Sequence, residues 1–360
     1  MIAAEPAPAA TATTSRPGDR TRHLFRRSAR AGEVHPLQRL ISLYREHDPE
    51  TGFGGLEAVA RSRPALPGRS AEAGAWRISA EHVARRVGQL PALPQAVLQA
   101  LALLRSETAS DQDCAQRIAL DAAMTARTLR LANSAFYGVS GRVATIRDAV
   151  LLLGRRTLGT MLAAVSVADS IGRSGMVGGP DAGEAIGRFW RHALACALAA
   201  QILARRRTPD QDVAFTAGLL HDIGQLVLRA HHAEALQAVR AAAAVDDADR
   251  LPFERALLGL DHAQVGAMVA RHWHFPPEVI EAIGAHHGPL AGDGPVTLAD
   301  LVHVADALAH TLDLEGDEDA AVPELGAATW RRVALGADEA HALFHDVETG
   351  VRALSRSLLG

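Results

Sequence analysis

The stretch Gly218-Leu-Leu-His221-Asp222-Ile-Gly224 places a histidine beside an aspartate in an apolar helical run, with a glycine on either flank. Adjacent positions on an α-helix point about 100° apart, so both side chains reach one ion only at the edge of a core-facing stripe. An imidazole next to a carboxylate is a good beginning for a site that binds a hard or borderline divalent metal. The alternative for such a pair is a histidine–aspartate hydrogen bond near a helix end.

Residues of the same chemical types lie on other apolar helical patterns on both sides of this pair. Upstream, small apolar residues follow His192 at helical spacing, which predicts that it lies on a buried face. Downstream, Asp261-His262 opens one apolar segment, with Asp261 as a good N-cap, and His286-His287 closes another. Asp306 shares the apolar face of its own segment, where an ionised carboxylate is costly unless it is paired or metal-bound.

Together these residues form an ordered series of metal-ligand types, and each member is predicted to face inward from a different helix. Singly, each is better explained as a hydrogen-bonded core side chain, but the complete series favours a working or vestigial metal site. The candidate ligands are His192, His221, Asp222, His262, His286, His287 and Asp306. We expect one or two divalent ions, with iron, manganese, magnesium and zinc as the candidates.

The composition favours helices over strands. The chain has 360 residues, of which 48% are hydrophobic and only 4% aromatic, and alanine and leucine dominate. No convincing run of alternating β-branched residues lies between turn pairs. We therefore predict an all-α fold over about residues 79–360, with no sheet of three or more strands.

The charges and cysteines exclude several classes of function. The net charge of −4 argues against bulk nucleic-acid binding. All 37 basic residues are arginine, so any phosphate contact must come from a histidine or an arginine, such as Arg155, Arg156 or Arg191. Cys114 and Cys196 lack metal-site spacing and are typical of buried small residues in a reducing compartment. With no signal-peptide pattern and no apolar run long enough to span a bilayer, we expect a cytoplasmic protein with no membrane partner.

Composition shifts divide the chain into three parts. Residues 1–78 are predicted to be a disordered or linker tail with a short helical pattern at Pro36–Arg45. The arginine-rich run at 16–30 favours a solvated tail, and contact with nucleic acid or an acidic partner is the alternative. An N-terminal helical half is predicted for 79–183, and a second helical half with the candidate ligands for 184–360.

Both halves of the predicted helical region carry short sequence motifs. The N-terminal motifs are Leu90-Pro-Ala-Leu-Pro94, Ile118…Asp121, Leu129-Arg-Leu-Ala-Asn-Ser-Ala-Phe-Tyr137 and Ala149…Leu153-Gly154. The C-terminal motifs are Phe189-Trp-Arg-His192, Gly218–Gly224, Glu254…His262…Val265-Gly266, Trp273…Pro276 and His286-His287-Gly-Pro289. Over about residues 85–312 these motifs resemble those of the HDOD domain family, in the family's order and at compatible spacings. One departure is Ala122, because the family usually has proline after the preceding aspartate.

This resemblance implies a multi-helix HDOD fold, with an N-terminal helical subdomain and a bundle related to the HD metal-dependent phosphohydrolases. The metal-binding positions of that wider superfamily correspond to His192, His221, Asp222 and Asp306. Related cyclic-di-GMP phosphodiesterases of the HD-GYP type add histidine ligands, which correspond to His262, His286 and His287. We expect the first four side chains to converge on one pocket, with the other three beside it.

The sequence is compatible with two functions. The resemblance implies a bacterial signalling module that binds a protein partner or a nucleotide, because HDOD domains are generally regarded as non-catalytic. The alternative is a metal-dependent phosphohydrolase acting on a nucleotide or a cyclic-dinucleotide-like phosphodiester, which the complete ligand series favours. Against it, no Gly-Tyr-Pro follows His286-His287, and Gln225 stands where active HD-GYP members usually carry lysine.

Overall fold

The all-α prediction is confirmed by the architecture of the described residues. The structure is a computed structural model that describes residues 25, 35–46, 77–89, 94–134, 143–173, 182–208, 210–246, 250–288, 292, 294–314 and 322–358. Every regular element in these ranges is helical, and they contain no β-strand. Within the same ranges, no helix combines the length and apolar character needed to cross a membrane. Most of the predicted tail, as well as Phe136-Tyr137 and Pro289, lies outside the described residues.

Several helices of the first half begin where a polar side chain caps them. Ser79 accepts a hydrogen bond from the backbone N–H of His82, and Ser110 forms a reciprocal capping box with Asp113. Asp121 accepts a hydrogen bond from the backbone N–H of Met124 and caps the helix that follows. The helices are α1 Pro36–Glu46, α2 Ala80–Gly88, α3 Gln95–Arg105, α4 Asp111–Ala119, α5 Ala122–Ala132, α6 Ile146–Leu153 and α7 Arg155–Arg173.

The helices of the second half carry the candidate ligands and their own caps. Asp261 is the N-cap of its helix, as predicted, and Thr297 forms a capping box with Asp300. The helices are α8 Ala182–Ala204, α9 Gln211–Leu220, α10 Ile223–His231, α11 Ala233–Asp246, α12 Arg250–Leu257, α13 His262–His272, α14 Pro277–Ala285, α15 Leu298–Leu312, α16 Ala327–Val333 and α17 Ala337–Leu358.

Helix α8 lies at the centre of the second half. Every side chain from Ala193 to Ala200 is buried, and five of these eight positions are alanine, whose small side chain lets neighbouring helices approach closely. Helices α9, α15 and α17 pack directly against α8. Helix α10 packs against α13, and α13 packs against α14, which returns to α15. Helices α8, α9, α10, α13, α14 and α15 thus form a closed ring, and the candidate ligands lie on these helices or at their ends.

The two halves and the N-terminal helix contact one another. Helix α7 packs against α9, where the hydroxyl oxygens of Thr160 and Thr216 are 2.6 Å apart, and α5 packs against α17. Helix α1, within the predicted tail, packs on α15 and α17, and Tyr44 donates a 3.0 Å hydrogen bond to Glu348. The tail therefore contributes to the packed structure through this helix. The division at residues 183 and 184 stays a prediction.

Candidate metal centre

The histidine–aspartate pair lies at a junction between two helices. Helix α9 ends at Leu220 and α10 begins at Ile223, so His221 and Asp222 connect them, and Asp222 has backbone angles of φ −99° and ψ 9°. The prediction of one continuous helical run is wrong at this point. The break releases the two side chains from the 100° spacing of a regular helix, and both point into the same site.

All seven predicted ligands lie together at this junction. The structure places them in the middle of helices or at helix ends, and all but His287 are buried. They are His192 in α8, His221 and Asp222 between α9 and α10, His262 at the start of α13, His286 and His287 after α14, and Asp306 in α15.

The first group of ligand atoms surrounds the Nε2 atoms of His192 and His221, which are 3.2 Å apart. Asp306 Oδ1 lies 3.1 Å from His192 Nε2 and 3.6 Å from His221 Nε2. On the other side, Asp222 Oδ2 lies 3.6 Å from His221 Nε2 and 3.9 Å from His192 Nε2. Ligands of a common ion at about 2.0–2.3 Å are separated by such distances.

The second group uses the other oxygen of Asp222. Asp222 Oδ1 lies 3.2 Å from His262 Nε2 and 3.7 Å from His286 Nε2. The Nε2 atoms of His262 and His287 are 2.8 Å apart. Ligand atoms from all four residues lie within 4.8 Å of one another. Asp222 therefore faces both groups, one with each carboxylate oxygen.

Hydrogen bonds at Nδ1 orient three of the histidines. His221 Nδ1 is 2.8 Å from the carbonyl oxygen of Gly218, and His286 Nδ1 is 2.7 Å from that of Ile283. Because a carbonyl oxygen only accepts hydrogen bonds, each Nδ1 carries a proton, and each ring directs its Nε2 atom into the site. The geometry is typical of metal-ligating histidines, whose other nitrogen is held by an acceptor.

Glu254 plays the same part for His262. Its Oε2 atom accepts hydrogen bonds from His262 Nδ1 at 2.7 Å and from the His262 backbone N–H at 2.8 Å. Glu254 is itself buried in α12. The arrangement forms a carboxylate–histidine pair that aims His262 Nε2 at Asp222.

The electrostatics of the cluster favour a bound cation. Burial lowers the pKa of His286 to about 3, and neighbouring His221 and His262 add to this shift. Its buried Nε2 has no hydrogen-bond partner among the described residues, so a neutral lone pair points at the carboxylate of Asp222. Burial alone raises the pKa of Asp222, but the positive charges of His221 and His262 outweigh it and hold this pKa well below its usual value. Burial lowers the pKa of His221 and of His262, but the negative groups beside these rings outweigh it and raise both pKa values well above the usual value. Buried carboxylates that hold protons on neighbouring imidazoles fit a divalent metal, which would replace those protons.

Two glycines allow the helices to approach closely enough to form the cluster. A Cβ at Gly218 would lie 2.8 Å from the carbonyl oxygen of Cys196 in α8. A Cβ at Gly224 would overlap the carbonyl oxygen of His262 and lie 2.6 Å from the backbone nitrogen of Gly266 in α13. The glycines that flank the histidine–aspartate pair are therefore required by backbone contacts with α8 and α13.

Sequence reasoning missed other contacts of the cluster. His310, one helical turn after Asp306, has its Nε2 3.4 Å from Asp306 Oδ1, and its spacing of four residues was the available signal. Gln225 donates a 2.8 Å hydrogen bond from Nε2 to Asp222 Oδ2. By contrast, two candidate phosphate contacts serve elsewhere. Arg155 bonds the carbonyl oxygens that follow α3, and Arg156 pairs with Asp210.

The chain belongs to the HDOD domain family, whose model matches residues 90–289, more than half of its length. The resemblance of its motifs to that family is thereby confirmed. An uncharacterized protein of Treponema pallidum (strain Nichols) is 27% identical over 240 residues, which are 66% of this chain and 45% of that protein. The chain thus spans less than half the length of this curated relative.

Two solved structures share the fold. One, named "Putative phosphohydrolase", from Shewanella amazonensis SB2B, is 27% identical, with a TM-score of 0.61 over 77% of this chain and 97% of that chain. The other is an HDOD domain protein with unknown function from Geobacter sulfurreducens. It is 21% identical, with a TM-score of 0.59 over 78% of this chain and 98% of that chain.

Proposed function

We propose that this chain is a bacterial signal-transduction module that binds a protein partner or a nucleotide and retains an HD-type metal site. One observation carries the metal-binding part of the proposal. Asp222 presents one oxygen to His192 and His221 and the other to His262 and His286. A carboxylate between two groups of imidazoles is suited to bridge two divalent ions.

The ligand types narrow the choice of metal. The first ion would be held by His192, His221, Asp222 and Asp306, and the second by Asp222 and the three later histidines. Five imidazoles among seven ligands favour iron, manganese or zinc over magnesium, which prefers oxygen ligands. Such an ion, when bound, makes an attached water more acidic and polarises phosphoryl oxygens.

The partner-binding part of the proposal rests on the first half of the chain. Four leucines on its packed helices α3, α4 and α6, or at their ends, are exposed among the described residues: Leu98, Leu120, Leu151 and Leu152. Helix α4 packs against both α3 and α6, so the four leucines lie on or next to neighbouring helices, and exposed apolar side chains that share a surface are typical of interaction sites. We assign the protein partner to this part of the first half.

A metal-dependent phosphohydrolase is the second candidate, and the facing oxygens of Asp222 also favour it. A two-ion centre of histidines and carboxylates is suited to phosphodiester hydrolysis. Two features make the phosphohydrolase the second candidate, after the signalling module. The position at which active HD-GYP members usually carry lysine is Gln225, whose amide bonds Asp222. Arg155 and Arg156 form hydrogen bonds or ion pairs with other parts of the chain. Of the three arginines that were candidates for a phosphate contact, only Arg191 is left.

Reconstitution with metal followed by an activity assay tests the two candidates. The metal-free full chain is loaded with Fe(II) or Mn(II) without oxygen, and bound metal is measured after dialysis. We expect one or two ions per chain and no turnover of linear or cyclic dinucleotides. Absence of bound metal would overturn the metal site, whereas turnover that disappears in Asp222→Ala would put the phosphohydrolase first.

A further inference from the structure

We propose that His310 is an additional metal ligand that closes the solvent-facing coordination position of the ion held by His192 and Asp306. The inference rests on the proposed metal site and concerns what that site is able to do. It assigns a role to a side chain outside the seven ligands that the sequence predicts.

The helical spacing brings His310 to the cluster. It follows Asp306 by four residues in α15, so both side chains lie on the same face. His310 Nε2 is 3.4 Å from Asp306 Oδ1, and the His310 ring centroid is 4.4 Å from that of His192. Ligand atoms from His192, Asp306 and His310 all lie within 4.8 Å of one another. This is the separation expected of donors around one ion.

Exposure places His310 on the solvent side of this group. The His310 side chain is 20% exposed, compared with 4% for His192 and 2% for Asp306. Every other residue from Ala299 to Leu312 in α15 is buried. His310 is therefore the side chain of α15, among Ala299–Leu312, that lies beside the cluster and also reaches solvent.

The chemical consequence follows from the difference between structural and catalytic metal sites. A catalytic ion keeps one position open for water or substrate, whereas a structural ion has protein ligands at every position. With His310, the first ion would have five protein ligands instead of four, so His310 would take one of the positions that a six-coordinate ion otherwise offers to water or substrate. The first ion would then contribute more to the fold than to hydrolysis, which agrees with the proposed signalling module.

Cobalt substitution combined with imidazole rescue tests this assignment. Co(II) is bound to wild-type protein, His310→Ala and the control His345→Ala, which removes an exposed histidine of α17. We expect His310→Ala to bind one Co(II) at least about tenfold more weakly and to show an altered visible absorption spectrum. Added imidazole should restore the wild-type spectrum in that variant alone, because the free ring fills the vacated position.

The outcomes separate this inference from the proposed function. If Co(II) binds but the spectra of wild type and His310→Ala are identical, and imidazole changes neither, His310 is not a ligand and the inference is wrong. If no variant and no wild-type protein binds Co(II), the proposed metal site itself is overturned. Circular dichroism identifies any unfolded variant, and His310→Asn, which keeps a polar side chain, provides a second substitution with the same expected result.

Discussion

The two halves of the molecule bury different kinds of polar side chain. Among the described residues 77–173, the buried polar side chains are hydroxyls, such as those of Thr128 and Thr160, and no acidic or basic side chain is buried. In the described part of 182–314, the core contains a series of acids and histidines that includes Glu254, Asp300 and His303 besides the predicted ligands. The same helical architecture therefore has an apolar core in one half and an ionisable core in the other.

This contrast separates the buried side chains that helix packing alone explains from those that need a bound ligand. Helices pack stably through apolar faces without buried charge, as α3 to α7 do, and polar side chains cap the starts of α4, α5 and α6. A buried carboxylate costs free energy unless a partner or a cation compensates it. Asp300 has such a partner in Arg332, with a shortest separation of 2.5 Å, whereas Asp222 and Asp306 face histidines. The cluster around Asp222 is therefore the part of the core that a bound cation would stabilise.

The largest expected effect is that of Asp222→Ala. Removal of the carboxylate that faces both groups leaves each ion short of a ligand, so we expect bound metal to fall at least about tenfold. Metal analysis of the dialysed protein measures it. Asp338→Ala, which removes an exposed carboxylate of α17, should keep the wild-type metal content. Equal metal content in the two variants would contradict the bridging role.

Gly224→Ala is expected to separate helices α10 and α13. The added methyl group would overlap the carbonyl oxygen of His262, so the helices must move apart at a cost of about 2–3 kcal/mol of unfolding free energy. Displacement of His262 should also weaken the second ion. Urea unfolding measures the cost, and Gly88→Ala, which meets no atom within 4 Å, is the matched control. Equal stability of both variants would show that the close approach is not required.

Glu254→Gln should weaken the second ion while the protein stays folded. The amide keeps the size of the side chain but removes the negative charge that holds the Nδ1 proton of His262. Loss of such an outer partner typically lowers metal affinity about 10- to 100-fold. A competition titration with a chelator measures this change. If both ions bind as in the wild type, Glu254 has no part in orienting His262.

The smallest effect is expected in the first half, from Asn133→Leu. The amide of Asn133 donates to the carbonyl oxygen of Val143 at 2.7 Å and accepts from its N–H at 3.0 Å. Loss of these two hydrogen bonds should lower the unfolding free energy by about 1–2 kcal/mol and leave the metal content unchanged. Thermal and urea unfolding, with metal analysis, check both statements.

A comparison of signalling by Asn133→Leu and Asp222→Ala makes the contrast between the halves sharper. If the module proposal is correct, output survives Asp222→Ala better than it survives disruption of the first half. If Asp222→Ala abolishes output while folded Asn133→Leu behaves as wild type, the metal site is functional and the phosphohydrolase takes first place.

Much of the fold was predictable because local sequence patterns determine helices. Apolar spacing and the predicted cap Asp261 identified helices, and inward-facing side chains such as Asp306 identified the cluster. The break after Leu220 was not predictable from periodicity, because apolar residues continue through it. Pairing of the halves through α5 and α17 likewise depends on contacts between distant segments.

The contacts of the site that the sequence did not reveal depend on the three-dimensional arrangement of their residues. Glu254 was recognised as a motif residue, but its hydrogen bond to His262 follows from the packing of α12 against the start of α13. Gln225 was compared with a lysine position, and only the structure places its amide on Asp222. His310 had a local signal in its spacing from Asp306, but its distance from His192 in α8 required the three-dimensional fold.

Anomalous scattering from crystals of the Mn(II)-loaded full chain tests the central claim most directly. We predict two peaks about 3.5–4 Å apart on either side of Asp222, the distance typical of two-metal sites. One peak should lie among His192, His221 and Asp306, and the other among His262, His286 and His287. Crystals that contain Mn(II) elsewhere but have no anomalous peak at these residues would contradict the assignment of a metal centre.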